Sequence, residues 1–150
     1  MQNKSLPVLA VEDDSTVLKI YRNILGKSYD LLLADSAEKG LALFKEHDEI
    51  PVVITDIAME SPSAGIDLIN EIETLSPATQ FIIISGLHGK NSVALQTARG
   101  KVASLPKPVE IMYLKLALEA AYSRYFDYRL MYGLLDLVAA HPHGDRLMSV

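Results

Sequence analysis

The 150-residue chain contains no cysteine, which excludes disulfides and thiolate metal sites and leaves the redox compartment open. It is also poor in positive charge. Fourteen Lys and Arg stand against nineteen Asp and Glu, for a net charge of -5 and a pI near 5.3. A nucleic-acid surface needs clustered Lys and Arg to neutralise phosphates, so direct nucleic-acid binding is not expected and any control of transcription would reside elsewhere. Long hydrophobic runs are missing too. The opening Met-Gln-Asn-Lys-Ser-Leu-Pro has no apolar signal core, and no run approaches the ~18 residues of a membrane span. The expectation is a soluble, cytoplasmic protein without a membrane partner. Repeats and low-complexity segments are also lacking. What remains, at 49% hydrophobic residues, suits one compact domain with a proper core and one extra element.

The stretch Val52-Val53-Ile54-Thr55-Asp56-Ile57-Ala58-Met59 organises the chain. It drives a continuous apolar run into a single carboxylate and is bounded by Pro51 and the turn-rich Glu60-Ser61-Pro62-Ser63-Ala64-Gly65. Such a run reads as a strand buried on both faces, as inside a parallel sheet. Residues 8–11 predict an earlier strand that ends in Glu12-Asp13-Asp14. Ser15 is a candidate N-cap for the helix that follows, with Asp14 the stronger one; Val17, Leu18, Tyr21, Ile24 and Leu25 recur at helical spacing up to Gly26. Residues 31–34 predict a second strand, followed by a helix introduced by Asp35 and Ser36 with Ala37, Leu41 and Phe44 on its apolar face. Leu68, Ile69, Ile72 and Leu75 mark a third helix closed by Ser76-Pro77. Residues 81–84 predict a fourth strand ending at Ser85-Gly86, residues 90–99 a weaker helix, and residues 102–105 a fifth strand leading into Pro106-Lys107-Pro108. A long helix begins near Val109, since proline suits the positions just ahead of a helix. This alternation predicts an α/β, doubly wound, five-stranded parallel sheet with helices on both faces.

In such a sheet the strand tips share the carboxyl edge, where ligands bind. Strand one offers Glu12 and Asp13, strand three Asp56, strand four Ser85 and strand five Lys107. Three carboxylates packed together repel one another unless a cation or protons intervene. All-oxygen ligation with few carboxylates favours Mg²⁺ together with a phosphate oxygen. Lys107 adds a point charge for a second phosphate oxygen, and the Ser85 hydroxyl a hydrogen bond to a third. A carboxylate set between a metal and a lysine is placed to attack phosphorus and form an aspartyl-phosphate.

Val-Glu-Asp-Asp, Thr-Asp-Ile-Ala-Met, Ile-Ile-Ser-Gly and Leu-Pro-Lys-Pro, in this order and spacing, resemble the receiver domain of bacterial two-component response regulators (CheY-like) over residues 6–122. The resemblance implies a flavodoxin-like strand order, 2-1-3-4-5. It implies that Asp56 accepts a phosphoryl group from a sensor histidine kinase or phosphotransfer protein. It further implies that Asp13, Asp56 and the Ala58 backbone carbonyl bind Mg²⁺ directly while Glu12 acts through water, that Ser85 is the switch hydroxyl, and that Lys107 is the site lysine with a cis bond to Pro108. Three features depart from the family. Glu60 follows Met59 where Met-Pro is usual, with Pro62 and Gly65 displaced; Ser104 stands where an aromatic residue often rotates inward; and Ala58 and Leu87, which flank the approach of a hydrolytic water, cannot hydrogen-bond one. The last of these predicts slow loss of the phosphoryl group.

The chain divides into a receiver domain, 1–122, and a C-terminal helical extension or linker, 123–150. Residues 113–132 hold five of the seven tyrosines, and Phe126, Leu130, Leu134, Leu135, Leu137 and Val138 extend the apolar pattern. This segment either folds back on its own domain or forms a helix for a homodimer or an output domain. His47 and His88 read as surface residues, and His141-Pro142-His143 lacks the helical spacing of a metal pair. Two other functions stay open beside the phosphoacceptor switch. One is a receiver-like interaction module independent of phosphorylation. The other is an aspartyl-nucleophile phosphatase, which needs a second acid where Ala58 stands.

Overall fold

A computed structural model of the chain describes residues 6–86 and 101–140. In order, the elements are β1 (Pro7–Val11), α1 (Ser15–Leu25), β2 (Asp30–Ala34), α2 (Ala37–Lys45), β3 (Val52–Asp56), α3 (Ala64–Leu75), β4 (Gln80–Ser85), β5 (Val102–Pro106) and α4 (Ile111–Ala140). The helix expected over residues 90–99 lies outside the described residues, as do Leu87, His88, His141 and His143. The five strands form one parallel sheet in the order 2-1-3-4-5. The expected fold class and strand order are therefore observed.

The sheet buries both of its faces because its strands alternate between two apolar layers. Leu9, Val11, Val53, Phe81 and Ile83 point to one side, where Phe44 of α2 and Ile66, Leu68, Ile69 and Ile72 of α3 cover them. Val8, Ala10, Val52, Ile54, Ile82 and Ile84 point to the other, under Tyr21 and Leu25 of α1 and Leu114, Leu118 and Ala121 of α4. Residues 8–11, 52–54 and 81–84 are all buried, which is why these runs read as uninterrupted hydrophobics in the sequence.

Helix starts follow local chemistry. Asp14, not Ser15, caps α1, its carboxylate accepting a hydrogen bond from the Thr16 N–H at 2.9 Å; Ser15 is the first helical residue. Ser36 caps α2 by accepting from the Lys39 N–H at 3.1 Å. Two expectations need correction. Leu75 is 53% exposed, since as the last residue of α3 it lies at the rim of the core. The final helix begins at Ile111, two residues later than expected, because its first turn is closed by the Leu114 N–H donating to the Glu110 carbonyl at 3.0 Å; the Lys107-Pro108 bond ahead of it is cis, as expected.

Helix α4 runs for 30 residues without a break, through the boundary expected at residue 122. Side chains at that point and beyond it still bind the body. Tyr122 donates its hydroxyl hydrogen to the Leu6 carbonyl at 2.6 Å, Arg124 donates to the Gln80 side-chain carbonyl at 3.2 Å, and Tyr125 donates to Glu49 at 2.5 Å. Arg129 pairs with the same Glu49 at 3.0 Å. No helix among the described residues is long and apolar enough to cross a membrane.

Candidate metal and phosphoacceptor site

Parallel pairing carries the strand tips to one edge. Val11 pairs with Thr55, Asp56 with Ile84, and Ser85 with Pro106, so Glu12, Asp13, Asp56, Ser85 and Lys107 gather where the crossovers from β1 and β3 diverge, the ligand position of open α/β sheets. Carboxylate oxygens of Glu12, Asp13 and Asp56 all lie within 4.8 Å of one another. Glu12 and Asp56 are buried and Asp13 is exposed.

Asp56 is held at both oxygens. Its Oδ1 accepts a hydrogen bond from the Ile57 N–H at 2.7 Å, and its Oδ2 pairs with the Lys107 ammonium. Oε2 of Glu12 accepts from the Asp14 N–H at 3.0 Å. Burial pushes the Glu12 carboxyl above its ordinary value, helped by Asp13 and Asp56 and opposed by the Asp14 N–H and Lys107. Lys107 shows the complementary balance. Burial favours its neutral form, but the Asp56 carboxylate, with Glu12 and Asp13 beyond, overrides that and raises its pKa. A buried carboxyl whose charged form is disfavoured first by burial and then by neighbouring acids marks a centre short of positive charge. One lysine only partly supplies it.

The residues fit a small hard cation. The donor set is entirely oxygen, contains few carboxylates and opens to solvent through Asp13, the combination Mg²⁺ prefers because it retains several waters. Ala58, two residues past Asp56, is exposed in the loop after β3. Ser85 is buried at the end of β4, and its carbonyl accepts from the Lys107 N–H at 3.1 Å, which ties the two residues together at the sheet edge. Ser104, paired with Ile83, is exposed on β5 and brings no aromatic ring to that position.

Several contributors carry no side-chain signature in the sequence. The Ile57 N–H is one, a backbone donor invisible to any motif. Gly65 is another: its N–H donates to the Ile57 carbonyl at 2.8 Å, and a Cβ there would lie 1.8 Å from the Asp56 carbonyl oxygen. The glycine in the loop hinted at close approach without showing what is approached. Glu60 is the third. Its carboxylate accepts from the Ala37 and Glu38 N–H groups at 3.0 and 3.2 Å, tying the loop after β3 to the start of α2. What desolvation it feels raises its pKa, but these hydrogen bonds outweigh that and lower it. A departure from the expected loop is thus a pin of different chemistry.

An apolar cleft of about 650 Å³ leads from the carboxylates between α1 and the start of α4. Val17, Ile20, Ile84, Val109 and Ile111 are among the residues that line it.

The sequence profile of the response regulator receiver domain matches residues 8–119. Over 122 residues the chain is 27% identical to the probable C4-dicarboxylate response regulator DctR of Bacillus subtilis (strain 168), covering 79% of this chain and 53% of DctR. It is equally 27% identical to the transcriptional regulatory protein ZraR of Escherichia coli (strain K12), covering 81% of this chain and 27% of ZraR. The chain thus spans about half the length or less of these curated relatives. Among solved structures, a response regulator receiver domain protein from Clostridium thermocellum is 33% identical with a TM-score of 0.69, covering 79% of this chain and 95% of that one. A structure described as adenylate cyclase from Rhodopirellula baltica shares the fold, with a TM-score of 0.78 at 23% identity over 90% of this chain and 98% of that one. The profile match over most of the chain, on a sheet of the same fold, leaves one assignment: this protein belongs to the response regulator receiver domain family.

Proposed function

We propose that the protein is a cytoplasmic phosphoacceptor switch in which Asp56 takes a phosphoryl group from a sensor histidine kinase or phosphotransfer protein. The observation that carries this reading is the convergence of Glu12, Asp13 and Asp56 within 4.8 Å, with Lys107 paired to Asp56. An oxygen of Asp56 attacks the phosphorus of a phosphohistidine. The new P–O bond forms as the P–N bond breaks, and the ring, protonated on its other nitrogen, leaves as neutral imidazole. Lys107 moves from the carboxylate to a phosphoryl oxygen, and the Ser85 hydroxyl donates to another, so charge developing on the transferred group meets donors close at hand. The Ile57 N–H holds Asp56 in position throughout. Asp13, Asp56 and the Ala58 carbonyl directly, and Glu12 through water, would hold Mg²⁺, which would neutralise the clustered negative charge when bound. The apolar cleft beside the site gives the donor protein a surface to dock against.

The product is a second state of the same protein, not a released compound, so the phosphoryl group acts by shifting a conformational population. The phosphatase alternative needs an acid two residues beyond the nucleophile, and that residue is Ala58. An interaction module independent of phosphorylation needs none of the charge convergence described above. The test is whole-protein mass spectrometry after incubation with acetyl phosphate. With Mg²⁺ the mass rises by one phosphoryl group, about 80 Da; with a chelator, or with Asp56→Asn, it does not. An unchanged mass under all conditions would favour the interaction module instead.

A further inference from the structure

As far as Tyr125 the inner side of α4 is committed to the body through Leu114, Leu118, Ala121 and Tyr125, whereas farther on Met131, Leu135 and Leu137 are exposed as well. No described residue covers the outer side along its length. Met112, Leu116, Ala120, Ser123, Asp127, Leu130, Leu134 and Val138 follow one another at steps of three or four residues, the spacing of a single helix face. All eight are exposed, and Met112, Leu116, Leu130, Leu134 and Val138 are each more than half so. The stripe spans about 40 Å, at 1.5 Å per residue. It consists of two apolar blocks separated by a polar centre, with Met112 and Leu116 in the first and Leu130, Leu134 and Val138 in the second.

We propose that this stripe is a homodimer interface in which α4 of a second copy lies antiparallel across it. The order of side chains argues for that occupant. Turned end for end, the stripe matches itself: Met112 faces Val138, Leu116 faces Leu134, Ala120 faces Leu130, and Ser123 faces Asp127, each pair related by the same two-fold axis near residue 125. This is the self-complementarity an isologous contact requires. Size complementarity follows as well. Phe126, Leu130, Gly133 and Leu134 help to line a groove of about 380 Å³ along one flank of the stripe, which gives side chains of an opposing helix room beside Leu130 and Leu134. Charge selects the direction. A parallel pair would set Asp127 against its own copy inside an apolar seam, where like charges repel strongly. The antiparallel pair gives each Asp127 carboxylate the Ser123 hydroxyl as a donor and the neighbouring Arg124 as a counter-charge. Hydrogen bonds from Tyr122, Arg124, Tyr125 and Arg129 to the body hold the helix straight through this centre. The two bodies then lie on opposite sides of the helix pair, with their phosphoacceptor edges at opposite ends and open.

The pairing does not depend on the function proposed for Asp56, and its test is separate. The full chain should sediment at about twice its 16.5 kDa monomer mass, and Leu116→Glu or Leu134→Glu alone should return it to monomer. Because the chain has no cysteine, introduced ones report geometry without background. Leu116→Cys and Leu134→Cys proteins, mixed and oxidised, should form the 116-to-134 disulfide between copies, while neither protein alone cross-links. A monomer at every concentration up to the high micromolar range overturns the proposal. So does a dimer that links 134 to 134, as a parallel pair would, or one that forms no link.

Discussion

Gly65→Ala places a methyl group into the backbone of the acceptor residue, and its cost follows from the surrounding atoms. The new Cβ would lie 1.8 Å from the Asp56 carbonyl oxygen, 2.8 Å from the Asp56 carbonyl carbon and 2.9 Å from the Ile57 Cα. Carbon and oxygen sit at least roughly 3.3 Å apart even when weakly hydrogen-bonded, so the overlap with the oxygen exceeds an ångström. All three neighbours are main chain, and no side-chain rotation relieves the contact. The first turn of α3 must therefore retreat, which also breaks the 2.8 Å hydrogen bond from the Gly65 N–H to the Ile57 carbonyl. Overpacking of this kind costs about 1–3 kcal/mol and the hydrogen bond about 0.5–1.5, against a gain of roughly 0.5–1 from alanine in a helix. A net loss of about 0.5–4 kcal/mol corresponds to a melting temperature lower by roughly 1–16 °C in a domain of this size. Urea unfolding followed by far-UV circular dichroism measures it. A variant within about 0.5 kcal/mol of the parent would refute the argument, since it would mean that the α3 entry has slack to absorb the methyl group.

Two further perturbations probe different parts of the account. Burial, with Asp30 and Glu119 nearby, pushes the Tyr122 hydroxyl up to about 12; because the fold favours the neutral phenol, its contribution is complete below the unfolded pKa of about 10 and is lost as pH rises through 12. Tyr122→Phe, which removes the donor to the Leu6 carbonyl, should cost about 1 kcal/mol at pH 7 and reduce the fall in urea midpoint between pH 9 and 11; equal falls in the two proteins would contradict it. Ala58→Asn, which restores a polar side chain beside the acceptor, should shorten the lifetime of the phosphorylated protein by about 5- to 30-fold, the rate equivalent of ~1–2 kcal/mol. Identical decay in parent and variant would remove this position from control of hydrolysis.

Much of the fold is legible in the sequence because burial on both faces leaves a plain record. Val52-Val53-Ile54 and Phe81-Ile82-Ile83-Ile84 could only be interior strands, and once the strands are ordered their tips follow, which is how Glu12, Asp13, Asp56, Ser85 and Lys107 come together from distant positions. β5 leaves a fainter record, since Ser104 is exposed and the strand is only partly buried at the edge of the sheet, yet its run over residues 102–105 and the Pro106-Lys107-Pro108 that follows still mark it. The readings that failed concern contacts with the main chain or the end of an element. Nothing in the composition of the loop after β3 says that Glu60 reaches the N–H groups of Ala37 and Glu38, because the two segments are far apart in sequence and meet only after α2 and α3 have packed. Gly65 announces freedom of backbone, whereas what it supplies is absence of a side chain beside Asp56. Leu75 fits the spacing of a buried face yet sits past the rim, which periodicity alone cannot register.

The claim that the carboxyl edge of the sheet makes Asp56 the phosphoacceptor is tested most directly by locating the modified residue. Borohydride reduces an acyl phosphate to an alcohol and leaves free carboxylates untouched. The protein treated with acetyl phosphate and Mg²⁺ should then carry the reduced side chain at Asp56 in its peptide map, and unmodified Glu12 and Asp13 beside it. Reduction at Asp13 or at another acid, with Asp56 intact, would contradict the account.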